Sequence, residues 1–158
     1  MTTTRRVLVF GLGIIVTGAL VAQLFGPAPT NPPTDPSAVL FARVHVPAEA
    51  ASVLQRACRD CHSNDTQWPW YSHVAPVSWF VIDHVNHGRS HFNYSNWTKY
   101  SQEDAAKLLK DSCELARKGA MPMPSYLRMH DDARLTDADI AALCSLQTPN
   151  YQLPTSKP

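Results

Sequence analysis

Nineteen consecutive residues, Val7 to Phe25 (VLVFGLGIIVTGALVAQLF), carry no charged side chain, and Thr17 and Gln23 are their only clearly polar members. A helix of that length covers roughly 28 Å, enough to cross the hydrocarbon core of a bilayer. Arg5 and Arg6 stand immediately before the stretch, and no acidic residue precedes Asp35. The positive-inside rule therefore predicts a cytoplasmic N-terminus, with everything after Phe25 on the far side. A cleaved signal peptide has a shorter apolar region and a small-x-small cleavage site. The nearest such triplet, Gly26-Pro27-Ala28, is followed by Pro29, a poor residue after a cut. Residues 1–25 are accordingly read as an uncleaved single-pass anchor, with a signal peptide as the alternative.

The remaining length suits one compact domain rather than two, since the whole chain has 158 residues. Charge is almost balanced, with 14 Lys and Arg against 13 Asp and Glu, and two of the bases are Arg5 and Arg6. The part beyond the anchor is thus slightly acidic. This argues against nucleic acid as a partner, because phosphate binding is driven by clustered cations. Attachment to a membrane must come from the apolar stretch and not from a basic surface.

Gly26 to Pro36 (GPAPTNPPTDP) holds five prolines in eleven residues and reads as a semi-rigid spacer. The expected organisation is a Pro-rich linker over 26–43, a folded domain over 44–153 and a tail over 154–158. Four helices are predicted in the domain. Pro47 suits a first turn and the run through Ala57 has no breaker. A second helix begins near Pro76 or Val77 and is expected to stop at Gly88. Ser101 with Asp104 is a capping-box variant opening a third, whose apolar Ala105, Leu108, Leu109, Cys113 and Ala116 share one face before Gly119. Thr136 with Asp139 repeats the signal before Ile140, Leu143 and Cys144. No strand alternation is visible, so the expected fold is all-α with long connections.

Cys58-Arg59-Asp60-Cys61-His62 is a C-x-x-C-H pentapeptide, the attachment motif of c-type haem. Two thiols at i and i+3 lie on one side of a helical turn, where they can form thioethers with the two vinyl groups of one haem. The adjacent His62 is then placed to bind iron axially. A structural zinc site would need a second ligand pair at short spacing, which Cys113 and Cys144, 31 residues apart, do not supply. A thioredoxin-like redox pair would need a βαβ environment. One covalent haem c is therefore the expected cofactor.

The sixth iron ligand belongs downstream. Gly119 to Pro124 (GAMPMP) follows a helix and carries two methionines next to prolines, and thioether sulfur is a soft iron ligand. Met121 is favoured, Met123 is its rival and Met129 a weaker one. His73, His84, His87 or His91 would give bis-His haem instead. The last three are spaced i, i+3, i+7, but with Gly88 expected to end the helix they make a poor metal set. All four tryptophans lie between Trp68 and Trp97, joined by Tyr71, Phe80, Phe92, Tyr94 and Tyr100. Such a cluster suits a core built around a large apolar disc. Arg89 is a candidate for contact with a haem propionate. Cys113 and Cys144, on apolar helix faces in an oxidising compartment, are candidates for a disulfide.

The segment from Cys58 to about Leu146 resembles the small haem-binding-domain family of bacterial c-type cytochromes. The matching pieces are Cys58 to Asn64 (CRDCHSN), Trp68 to Ser72 (WPWYS), Ala75 to Trp79 (APVSW), Val85 to Asn93 (VNHGRSHFN) and Met121 to Tyr126 (MPMPSY). The resemblance implies a fold similar to cytochrome c, covalent haem on Cys58 and Cys61, His62 as proximal ligand and Met121 at the distal position. It implies no particular physiological partner.

These readings converge on a single-pass protein of a bacterial inner membrane with a periplasmic monohaem domain. It is expected to exchange single electrons with donor and acceptor redox proteins and to transform no substrate. The alternatives are a haem peroxidase or gas or redox sensor with a displaceable distal ligand, and a non-haem redox or metal-binding module using the Cys58/Cys61 pair.

Overall fold

A computed structural model describes residues 3–147, which are helical with irregular connections and contain no strand. The expected domain end at residue 153 and the tail over 154–158 lie outside the described residues. The described chain forms two compact units, residues 3–30 with Gln67–Asn86, and residues 31–66 with 87–147.

In the first unit, α1 (Thr3–Ala22) continues as a 3-10 turn over Gln23–Phe25. These 23 residues are long and apolar enough to cross a membrane. The other segment holds a 3-10 turn at Trp70–His73 and most of α5 (Val77–His91), which enters the second unit at His87. Ser78, Ile82 and Val85 form the buried stripe of this helix.

The second unit contains α2 (Leu40–Arg43), α3 (Ala48–Val53), α4 (Arg59–His62), the end of α5, α6 (Gln102–Arg117), α7 (Pro124–Leu127) and α8 (Asp137–Cys144). Its core joins Leu40, Val53, Leu54, Phe92, Tyr94, Trp97, Leu109 and Leu143 among others. α6 and α8 close it, and a disulfide between Cys113 and Cys144 joins them. Both helices start where their caps say. The Ser101 hydroxyl accepts from Asp104 N, and Thr136 and Asp139 form a reciprocal capping box. At the other end of α6, Gly119 takes φ +64°. Its N–H reaches Ala116 O at 3.0 Å while Ala120 N reaches Leu115 O at 3.0 Å, the paired bonds of a Schellman ending.

Two sequence expectations are corrected here. The Pro-rich linker does not extend to residue 43, because Leu40 is fully buried in the core and Asn64 Nδ2 donates to Pro33 O at 3.2 Å. A polyproline-like strand leaves its carbonyls free, so a neighbouring side chain can bind them. Nor does Gly88 end the second predicted helix, since α5 runs on to His91. The glycine has another use: a Cβ built there would lie 2.5 Å from the Cys61 carbonyl oxygen. Its missing side chain allows α5 to approach the C-x-x-C-H turn.

Candidate haem-attachment site

The motif sits where a helix changes its winding. α3 leads into a π segment, Leu54–Cys58, and that into the single α-turn of α4. Isolated π turns inside helices commonly mark functional sites. Cys58, at the junction, departs from helical geometry with φ −122°. Cys58 and Cys61 are free thiols of intermediate exposure. Burial pushes the Cys58 thiol up to about 12 and the Cys61 thiol up to about 11. Both are therefore protonated at neutral pH, the reverse of the activated thiolate that a disulfide oxidoreductase presents.

His62 is held by one side of its ring. Its Nδ1 lies 2.9 Å from Phe92 O, and the phenyl ring of Phe92 packs against the imidazole at 5.5 Å between centroids. With Nδ1–H donating to that carbonyl, the lone pair is on Nε2, the arrangement that metal-ligating histidines adopt. Burial is the main cause that lowers the His62 pKa, and the Phe92 carbonyl partly offsets it. Burial thus favours the neutral imidazole, the form that ligates a metal.

A polar network fixes the chain that leaves the motif. Asn64 Oδ1 accepts from Asn93 Nδ2 at 2.7 Å, Asn64 N donates to Ser95 Oγ at 3.0 Å, and Ser95 N donates to Asn93 Oδ1 at 3.0 Å. All three residues are buried, so each satisfied bond avoids a desolvation cost. Thr66 Oγ1 donates back to Asp60 O at 2.6 Å. Arg89 Nε donates to Ser63 O at 2.8 Å, and Nη2 to Thr66 Oγ1 at 2.7 Å and Asn31 Oδ1 at 2.8 Å. Arg89, expected as a propionate contact, therefore spends Nε and Nη2 on the loop that follows His62 and on Asn31.

The methionine loop is tied to the same turn. Tyr126 Oη donates to Asp60 Oδ2 at 2.9 Å, linking the end of the M-P-x-P-x-Y segment to the third residue of the C-x-x-C-H motif. The Tyr126 ring stacks on His130 at 3.9 Å. Met123 caps α7 and is half-buried, whereas Met121 is 37% exposed and Met129 58%. His84 Nδ1 lies 2.8 Å from Phe80 O, and His87 and His91 face one another, Nε2 to Nε2, at 3.1 Å. His73 is exposed. No group of three or more His, Cys, Asp or Glu side chains that could hold a metal ion occurs among the described residues.

The aromatic cluster divides. Phe92, Tyr94 and Trp97 are buried in the core that backs His62, while Trp70, Trp79 and Phe80 are exposed in the other unit. The Tyr94 hydroxyl is buried without a hydrogen-bond partner among the described residues. Two thiols on one turn and an oriented imidazole together fit a haem. Asp60, Tyr126, Asn64 and Asn93 were not read as site residues from the sequence. Their only signal there is membership of the shared motif blocks.

The profile of the haem-binding domain family matches residues 17–147. The chain belongs to that family. The match begins within the apolar helix, well upstream of Cys58, and ends with the described residues. For this haem-binding domain no curated protein and no solved structure gives a match.

Proposed function

We propose that this haem-binding domain is a membrane-anchored, periplasmic monohaem c-type cytochrome that passes single electrons between redox proteins. Cys58 and Cys61 would carry the haem covalently, with His62 and Met121 as axial ligands. The observation that carries the reading is the His62–Phe92 bond, which aims one imidazole nitrogen from the turn that bears both thiols. When bound, the haem supplies a one-electron couple whose potential the axial ligands and burial set.

The chain's own residues hold that couple rigid. Phe92 O keeps the His62 ring from rotating, and the Asn64–Asn93–Ser95 network keeps the following loop from shifting. Tyr126 ties the methionine loop to Asp60, so the residues that would supply both iron ligands are referred to one turn. A rigid site suits electron transfer because little structure must reorganise between oxidation states. The raised thiols disfavour the non-haem redox reading, since thiolate is the reactive form. The anchor would confine the domain to a layer beside the membrane and raise its effective concentration toward membrane-bound partners.

Haem staining after denaturing electrophoresis tests this directly. Wild type is expected to retain haem, and Cys58→Ala with Cys61→Ala to lose it. A wild-type band without haem sinks the proposal. Rapid CO binding by the reduced protein would instead favour a sensor or peroxidase with an open distal position.

A further inference from the structure

The first unit presents an apolar surface that its own fold does not cover. Trp70 is 72% exposed and Phe80 52%, with Val74, Val77 and Trp79 also exposed. α5 explains the arrangement. Its Ser78, Ile82 and Val85 stripe is buried, while Val77 and Phe80, three residues apart, stand outside that stripe where a water-facing helix would carry polar groups. Asp83 is the only formal charge between Gln67 and Asn86. A patch of this kind on a small domain marks an interaction surface.

The same unit says what lies beside it. α1 and its terminal turn end at Phe25, and the next residue, Gly26, meets Trp79: a Cβ built on Gly26 would stand 2.6 Å from Trp79 Nε1. The Gln23 side-chain amide, oriented to donate to His73 O at 3.2 Å, accepts from Ala75 N at 2.9 Å. The residues bearing the patch are thus in contact with the last turn of the apolar helix, at the depth where a spanning helix leaves the hydrocarbon. Tryptophan is enriched at that depth because its ring is apolar and its N–H is wet.

Resting on the reading of α1 as an uncleaved span, we propose that the exposed face of residues 70–80 lies in the membrane–water interface of the bilayer that α1 crosses. Trp70, Val74, Val77, Trp79 and Phe80 enter the headgroup boundary beside the end of α1. Because the segment has no Lys or Arg, the contact is made by aromatic and aliphatic burial and needs no anionic lipid. Residues 67–86 are then docked on the bilayer beside the end of α1.

The full chain, reconstituted into vesicles of zwitterionic phosphatidylcholine carrying a diazirine near the acyl carbonyl, is photolysed and its adducts mapped by peptide mass spectrometry. Adducts are expected on Val7–Phe25 and also on residues 70–80, in both low and high salt. The triple variant Trp70→Ser, Val77→Ser, Phe80→Ser should lower the second set at least about fivefold, since apolar burial holds the segment in place. Its labelling of Val7–Phe25 and its retained haem should be unchanged. Labelling of α1 with residues 70–80 no more marked than the exposed face of α6 overturns the docking and leaves the anchor standing. Labelling of neither removes the anchor and the docking together.

Discussion

Tyr126 Oη stands 2.9 Å from Asp60 Oδ2, so a phenol at the end of the methionine loop is bonded to the residue between Arg59 and Cys61. Chain segments 66 residues apart are joined at the point where the two axial positions of a haem would have to be held in register. A hydrogen bond to a carboxylate is worth about 2 kcal/mol, and Asp60 keeps its ion pair with Arg59 Nε at 3.6 Å when the phenol is removed. Tyr126→Phe should therefore lower stability by about that figure while leaving covalent haem in place. Its diagnostic effect is on the distal side. CO should bind the reduced variant faster than wild type, because the loop carrying Met121 and Met123 is no longer tied down. Stopped-flow CO binding checks it, and an unchanged rate would detach the bond from distal ligation.

The two methionines can be separated spectroscopically. Met121→Ala is expected to abolish the long-wavelength ferric band that thioether coordination produces, and Met123→Ala to leave it. Met123 has a second task as the cap of α7, where its carbonyl accepts from Tyr126 N at 2.9 Å and Leu127 N at 3.1 Å. That task uses backbone only, so Met123→Ala should cost little beyond a half-buried side chain. Loss of the band in Met123→Ala and its survival in Met121→Ala would reverse the assignment.

What could be read from residue order alone was local. The Ser101 and Thr136 caps and the Gly119 ending depend on neighbours within four residues, and all three formed as their sequences indicate. Gly88 could not be read this way. A glycine that stops a helix and one that admits another backbone look identical in a sequence, and only the approach of Cys61 distinguishes them. Leu40 was hidden for a related reason: averaging over a proline-rich stretch conceals one buried side chain. Arg89 could be recognised as a site-adjacent cation, but whether its fork meets a ligand or the Ser63–Thr66 loop depends on long-range packing. The aromatic cluster misled by proximity, since residues close in sequence are divided between a core and an exposed face.

Gly88 and Gly119 give a paired prediction. Gly88→Ala forces a methyl to within 2.5 Å of a backbone oxygen in a turn held by several bonds. Overpacking of this sort costs about 2–3 kcal/mol, and because it presses on Cys61 it should also reduce covalent haem incorporation. Gly119→Ala meets nothing within 4 Å but must hold φ +64°. Its cost is that of left-handed backbone, about 1 kcal/mol, with haem incorporation unchanged. Thermal unfolding together with the haem-to-protein absorbance ratio distinguishes the two. Equal effects on haem content would remove the close-approach account of Gly88.

The Cys113–Cys144 disulfide closes a loop of 31 residues between α6 and α8. In the chain-entropy account a loop of this length contributes about 3.5 kcal/mol by restricting the unfolded chain. Cys113→Ala with Cys144→Ala should lose an amount of that order, and wild type measured in reductant should approach the variant. Both sulfurs are buried and neither belongs to a residue given a ligating role above, so the haem spectrum should not change. A shifted spectrum would show that α6 and α8 position the site through this bond.

Asp139 supplies the pH dependence. Its carboxylate accepts from Thr136 N and from Thr136 Oγ1, both at 2.8 Å, and pairs with Arg56 Nη2 at 2.7 Å. The Thr136 backbone N–H is the largest cause holding the Asp139 carboxyl below its ordinary 3.8, with the Thr136 hydroxyl next and Arg56 after both. A depressed carboxyl makes the unfolded chain bind more protons than the folded one, so stability rises with pH across this window. The contribution is complete above 3.8 and is lost as pH falls through the lower folded value. Asp139→Asn should cost about 1 kcal/mol at neutral pH, the usual worth of a helix cap, and its deficit against wild type should shrink as pH falls below about 4. Arg56 widens the consequence. It also donates to Asp132 O and, at 2.9 Å, to Arg134 O from the π segment that leads into Cys58. Release of Asp139 therefore loosens one of the bonds that hold the winding change before the haem motif. Denaturant melts at pH 7, 5 and 3.5 measure the deficit; one that stays constant or widens toward acid would show that the carboxylate charge is not what the cap and Arg56 recognise.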